Sequence, residues 1–235
     1  MVIAQKNRIA ACSDHIKRNT ERFRPREPVS AHTHFAGFVL AILGMPVLLI
    51  RAARHTDDLS ALIGIAVFAF SMVLLYGASA AYHSFNISKR ADLALKKIDH
   101  MSIFVLIAGS YTPVCLTVLR GASGKHLLIA IWTLALAGIV FKAFFVHCPK
   151  WVSSVTYVAM GWAALAVVGK LWQVLPRAGF FWLLAEGFFY TAGAVIYAIR
   201  PHAFGNAWFG NHELFHCFVL AGSLCHFILV FFFLA

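Results

Sequence analysis

Two histidines near the end of the sequence have the spacing of a metal-binding pair. His212 and His216 lie four residues apart at the start of a long apolar segment, which we predict to be a helix. Residues four apart project from the same face of a helix. Two imidazoles placed in this way can bind one zinc ion. Because the chain contains 12 histidines, the meaning of the pair depends on which other side chains reach the same place.

The same segment also fits the His-Glu-x-x-His pattern of zinc metalloproteases, with Glu213 as the general base. This pattern leaves two positions free and is therefore of low specificity. A glutamate in the first turn of a helix has a simpler role, because it interacts favourably with the positive end of the helix dipole. We therefore favour a structural role for Glu213 over a protease.

The composition is that of an integral membrane protein. Hydrophobic residues make up 61% of the chain, charged residues 12%, and the mean hydropathy is +0.78, whereas about a quarter of a soluble domain is charged. The net charge of +11 comes from lysines and arginines clustered between apolar runs. Such clusters favour a role in membrane orientation over binding of nucleic acid.

Seven apolar runs approach the length of about 20 residues that a helix needs to cross a bilayer. We predict an all-α membrane protein: a basic cytoplasmic tail over residues 1–34, followed by a seven-transmembrane helix bundle over residues 35–235. Lys142 falls near the end of the fourth run, and we expect it to reach the lipid headgroups. The runs cover residues 35–53, 59–82, 101–119, 127–146, 151–168, 180–199 and 214–235.

The distribution of lysine and arginine predicts the orientation. With the N-terminus inside, the inside segments hold 14 of these residues and the outside segments six. Cytoplasmic segments carry the excess of positive charge in membrane proteins. We therefore predict a cytoplasmic N-terminus and, with seven spans, a C-terminus outside.

This topology brings further polar residues to the depth of the histidine pair. The second span ends at His83 and the third begins at Asp99, both at the cytoplasmic leaflet that also holds His212 and His216. Three histidines with one open position form the ligand set of a catalytic zinc site. Asp99 would hold or deprotonate the water at such a site. Ser79 lies one turn before His83 and can hydrogen-bond into the same cluster.

Other ionisable residues fit this cluster less well. His226 lies ten residues beyond the pair, about 15 Å along the helix, and we expect it to be satisfied within the bundle. Glu186 falls in the outer half of the sixth span and we expect the same for it. His100 points away from Asp99 by about 100°. His32 and His34 precede the first span on the cytoplasmic side and could approach the cluster, but we favour solvated positions for both.

The sequence resembles the hemolysin III family, which is related to the progestin and adipoQ receptors and more distantly to the alkaline ceramidases. The resemblance implies a seven-helix fold and a cytoplasmic-side zinc ion bound by His83, His212 and His216. It also implies that Ser79 and Asp99 complete the site. The matching blocks are Ser79-x3-His83-Ser84, Asp99-His100 leading to Ala108-Gly109-Ser110-Tyr111-Thr112-Pro113, Gly187-x2-Tyr190-Thr191-x-Gly193-Ala194-x2-Tyr197, and Phe209-Gly210-x-His212-Glu213-x2-His216 leading to Leu220-Ala221-Gly222-Ser223.

Three functions are compatible with these residues. The first is a zinc-dependent hydrolase acting on a lipid amide or ester, with Asp99 handling protons. The second is a membrane sensor or receptor-like regulator in which zinc is structural. The third is a lytic or channel-forming protein. We expect membrane lipids and no nucleic acid as partners, and the short loops favour a bacterial inner membrane.

The predicted orientation can be measured with reporter fusions in a bacterial host. We expect alkaline phosphatase fused after Ala235 to be active and a green fluorescent protein at the same point to be dark, because the seventh span would carry both outside. Fusions after Lys150, in a loop predicted to be cytoplasmic, provide the matched control and should behave in the opposite way. Phosphatase activity at Lys150 with none at Ala235 would reverse the topology.

Overall fold

Seven long helices form the protein. The computed structural model describes residues 25–199 and 209–235. Each helix is long and apolar enough to cross a membrane, so the protein is a multi-pass integral membrane protein, as predicted. The helices are α1 (Pro28–His55), α2 (Leu59–Ser84), α3 (Lys89–Thr117), α4 (Ala122–Phe144), α5 (Lys150–Val174), α6 (Arg177–Ile199) and α7 (Asn211–Leu234).

Helix α1 begins at Pro28, seven residues before the apolar run at residue 35. Proline is favoured in the first helical turn, where its missing N–H group is not needed. The two histidines expected to be solvated are therefore helical. His32 is exposed, as expected, but the expectation for His34 is wrong, because this side chain is buried. Of the predicted tail, residues 1–24 lie outside the described residues.

The seven helices close into one bundle. Consecutive helices are neighbours, and α1 also packs against α7. A Cβ atom at Gly37 of α1 would lie 2.6 Å from Leu220 of α7 and 2.9 Å from Tyr76 of α2. Only glycine allows this approach, and small residues are the usual means of close helix packing in lipid. The contact of α1 with α7 brings the start of α1 beside the start of α7, where two histidines of the predicted site lie.

Helix α5 is interrupted in the middle of the membrane. It is α-helical over Lys150–Gly161, adopts 3₁₀ geometry over Trp162–Val167 and becomes α-helical again. The hydroxyl group of Tyr111 donates to the Gly161 carbonyl group and accepts from the Ala164 N–H group at 2.9 Å. Backbone groups released inside a bilayer need such partners, so Tyr111 of α3 stabilises the break.

Buried polar side chains pair with one another inside the bundle. His226 Nδ1 of α7 lies 2.7 Å from Glu186 Oε2 of α6, which confirms that Glu186 bonds within the bundle. His226 is satisfied at Nδ1 only, because its Nε2 atom is buried without a hydrogen-bond partner among the described residues. The prediction for Lys142 is wrong. Its ammonium group is buried and contacts Ser153 Oγ at 2.5 Å and Cys148 Sγ at 3.1 Å instead of the headgroups, because the start of α5 folds over the end of α4.

Candidate metal centre

Three histidines from two helices meet at one end of the bundle. His83 lies in the last turn of α2, and His212 and His216 lie in the first two turns of α7. Their candidate ligand atoms all lie within 4.8 Å of one another. His83 and His216 are almost fully buried, at 1% and 2% exposure, while His212 is partly exposed. The structure therefore brings together the three predicted metal-binding residues.

Several ring nitrogens of this cluster lack a hydrogen bond. Both nitrogens of His83 and the Nδ1 atoms of His212 and His216 are buried without a hydrogen-bond partner in residues 25–199 and 209–235. A buried polar atom without a partner costs about 1–3 kcal/mol. A shared cation would satisfy nitrogens from all three rings. Zinc–imidazole bonds of about 2.0–2.1 Å in a tetrahedral site place the ligand atoms about 3.3 Å apart. The present spacing of up to 4.8 Å would have to close to that distance, and three imidazoles are a ligand set that fits Zn²⁺.

Asp99 and Ser79 lie at the same end of the bundle as the histidines and share a cavity with two of them. Both are buried, and both line an internal cavity that His212 and His216 also line. His100 is not part of the cluster: its Nδ1 atom lies 2.9 Å from the Lys96 carbonyl oxygen and 3.4 Å from Asp99 Oδ2. Asp99 thus places a carboxylate in the cavity next to two of the three imidazoles.

His34 packs directly against the cluster, which the sequence analysis did not anticipate. Its ring stacks on that of His216 with a centroid distance of 3.7 Å and an interplanar angle of 14°. The edge of Tyr76 contacts its other side at 5.2 Å. Pro28 was the signal that could have revealed this contact, because a helix that starts there carries His34 two turns into the bundle.

Glu27, in the segment before α1, reaches the same cluster. Its Oε2 atom lies 2.8 Å from His83 Nδ1 and 3.5 Å from His212 Nε2. Contact with His83 is the main reason that the pKa of the Glu27 carboxyl lies below its usual range, while partial burial acts in the opposite direction. The sequence analysis placed this residue in a solvated tail and therefore missed it.

Glu213 has a structural role. One carboxylate oxygen accepts from the Gly210 N–H group at 2.9 Å, and the other accepts from the Ser30 hydroxyl group at 2.9 Å. The first contact caps α7, and the second ties α7 to α1. Because both oxygens are engaged, the arrangement favours the predicted structural role over that of a protease base.

A largely apolar cavity extends from the cluster into the bundle. Its volume is about 190 Å³. At one end it is lined by Asp99, Ser79 and His216, and its lining also includes Trp162, Leu171 and the buried Glu186–His226 pair. A cavity with polar groups at one end and apolar walls beyond them matches a molecule that has a polar head and a hydrocarbon chain.

Comparison with known proteins identifies the family. Residues 23–227 match the family described as "Haemolysin-III related". The chain belongs to this family. It is 39% identical over 212 residues to "Hemolysin-3" of Bacillus cereus, covering 90% of this chain and 93% of the relative. A "Hemolysin-3 homolog" of Bacillus subtilis (strain 168) is 39% identical over 207 residues, covering 88% and 93%.

A more distant relative comes from an animal. The human "Monocyte to macrophage differentiation factor" is 24% identical over 234 residues, covering 94% of this chain and 91% of the relative. The haemolysin-III family match spans all seven predicted helices, except for the last residues of α7. It also includes Glu27 and His34 along with the predicted site residues.

Metal analysis tests the cluster. We expect the purified full chain to bind one zinc ion. Each of the variants His83→Ala, His212→Ala and His216→Ala should weaken zinc binding by more than the roughly 10–100-fold that is typical when a residue hydrogen-bonded to a metal ligand is lost. Elemental analysis and competition with a chromogenic chelator give stoichiometry and affinity. His32→Ala, which removes an exposed histidine, is the control. Wild-type affinity in any of the three variants would remove that residue from the site.

Proposed function

We propose that this membrane protein is a zinc-dependent hydrolase that cleaves an amide or ester bond of a lipid. One observation carries the proposal: two members of the three-histidine cluster, His212 and His216, line the same largely apolar cavity as the Asp99 carboxylate. A lipid with its acyl chain in the cavity would hold its carbonyl group beside these residues. The walls and the polar end of this cavity would then position both the acyl chain and the bond that reacts.

The chemistry assigns a role to each residue. His83, His212 and His216 would hold the zinc ion, which when bound polarises a carbonyl group and lowers the pKa of water. Asp99 would accept the proton of the attacking water and return it to the leaving amine or alcohol. The Ser79 hydroxyl would donate a hydrogen bond to the carbonyl oxygen as charge develops there. The apolar walls of the cavity would keep bulk water away from the acyl chain of the lipid.

The orientation predicted from the positive charges places this site at the cytoplasmic leaflet. A lipid could then enter with its headgroup near the membrane surface and its chain directed into the bundle. We propose membrane lipids as the partners of the protein on this basis. The basic side chains at the same membrane face suit anionic headgroups.

A lytic function, suggested by the names of the bacterial relatives, has less support. A pore needs a continuous polar path across the membrane. The internal cavity instead has mainly apolar walls between the histidine cluster and the Glu186–His226 pair, which is held together at 2.7 Å. This arrangement suits an acyl chain better than ions.

Asp99→Asn tests the hydrolase. It preserves shape but removes the proton acceptor, so we expect lipid turnover to fall by roughly 10²–10⁴-fold while zinc content stays unchanged. Release of fatty acid from a panel of ceramides, phospholipids and lysolipids in detergent micelles gives the rate. Asp57→Asn, at an exposed aspartate, is the matched control.

Two outcomes would contradict the proposal. Equal turnover by Asp99→Asn and the wild type would remove Asp99 from the mechanism. Stoichiometric zinc with no release of fatty acid from any lipid in the panel would instead favour a regulator with structural zinc.

A further inference from the structure

The segment before α1 is held across the end of α2, where the histidine cluster lies. The N–H groups of Arg26 and Glu27 both point to the His83 carbonyl oxygen, at 3.0 and 3.3 Å. The carbonyl groups in the last turn of a helix have no partner within the helix, so these contacts complete the end of α2. We call residues 26 and 27 the strap.

The Arg26 side chain fixes the strap a second time. Its guanidinium group contacts Asp92 Oδ2 of α3 at 2.7 Å and lies over the Tyr82 ring, 5.5 Å from its centroid. The strap is thus joined to α2 and α3, two of the three helices that supply site residues at this end. Because Arg26 is held in this way, the side chain of the next residue, Glu27, is directed towards the cluster.

The Glu27 carboxylate lies beside two of the histidines but does not form a hydrogen bond with their ring nitrogens. Its Oε2 atom is 2.8 Å from His83 Nδ1 and 3.5 Å from His212 Nε2. Oε2 and His83 Nδ1 are both buried, yet neither has a hydrogen bond of acceptable direction to any described residue. Two electron-pair donors this close, without a directional hydrogen bond between them, are what a shared cation would satisfy.

The other acidic residues beside the cluster are arranged differently. Both oxygens of Glu213 are occupied by Gly210 and Ser30. Asp99 lies in the cavity on the side from which a lipid carbonyl would approach. Glu27 alone among these three combines a buried oxygen lacking a hydrogen-bond partner with close approach to two of the histidines. Carboxylate oxygens are common zinc ligands.

We propose that Glu27 supplies the fourth ligand of the metal held by His83, His212 and His216, and so closes the site at rest. The inference rests on the metal-binding part of the proposed function. A substrate or water molecule would replace the carboxylate, which would move aside with the strap. The Arg26–Asp92 pair is partly exposed, and such pairs add little stability, so the strap can be released.

Cobalt substitution of the purified full chain tests this role, since the visible absorption of Co²⁺ reports its ligands. We expect Glu27→Gln to bind cobalt with an altered spectrum and to bind zinc roughly 10–100-fold more weakly. We also expect added azide to bind to Glu27→Ala at least about tenfold more tightly than to the wild type, because the carboxylate no longer competes for the metal. Added acetate should restore the wild-type spectrum of this variant.

Glu213→Gln is the matched control, because it removes a neighbouring charge that has other partners, and its spectrum should equal that of the wild type. An unchanged spectrum and azide affinity in both Glu27 variants would overturn the inference, even if zinc binding were weaker, since Glu27 would then only support His83. Failure of the wild type to bind cobalt or zinc would instead overturn the metal-binding part of the proposed function.

Discussion

The burial of imidazole nitrogens at one end of the bundle is the constraint on which the site depends. Inside a membrane protein a polar atom must find its partner within the protein. His83 and His216 are buried, and both ring nitrogens of His83 and the Nδ1 atom of His216 lack hydrogen bonds to the described residues. The sequence nevertheless places three imidazole rings side by side. A bound cation would account for this arrangement, because it would supply one partner to several nitrogens at once.

The same requirement explains how the surrounding helices are joined. Glu213 caps α7 and accepts a hydrogen bond from Ser30 of α1, while the strap satisfies the carbonyl group of His83 at the end of α2. His34 adds a stacked ring to His216. Each contact holds one of the histidines or the helix that carries it. These contacts join the ends of α1, α2 and α7 around the histidines, in front of the largely apolar cavity.

Much of the fold and the centre of the site could be predicted from sequence. Apolar runs of spanning length predicted the seven helices, and the alternation of spans put the ends of α2, α3 and α7 at one leaflet. The i, i+4 spacing identified His212 and His216, and the alternation added His83 and Asp99 at the same leaflet. The seven helices and the meeting of the three histidines agree with these predictions, because membrane thickness fixes the depth of a residue once its span is known.

The contacts that were missed are tertiary contacts, and a hydropathy pattern contains no information about them. Polar residues at the start of α1 concealed a helix that already begins at Pro28, so His34 and Glu27 were placed in solvent. Lys142 was expected at the headgroups because it lies near the end of a helix. The sequence did not show that the start of α5 folds over it. In each case a local polar sequence is buried by a tertiary contact, and periodicity alone does not reveal such contacts.

X-ray absorption at the zinc K-edge of the purified protein tests most directly whether three histidines hold a zinc ion. We expect nitrogen and oxygen ligands at about 2.0–2.1 Å, together with the multiple scattering of about three imidazole rings. Sulfur ligands near about 2.3 Å, or zinc without imidazole scattering, would contradict it.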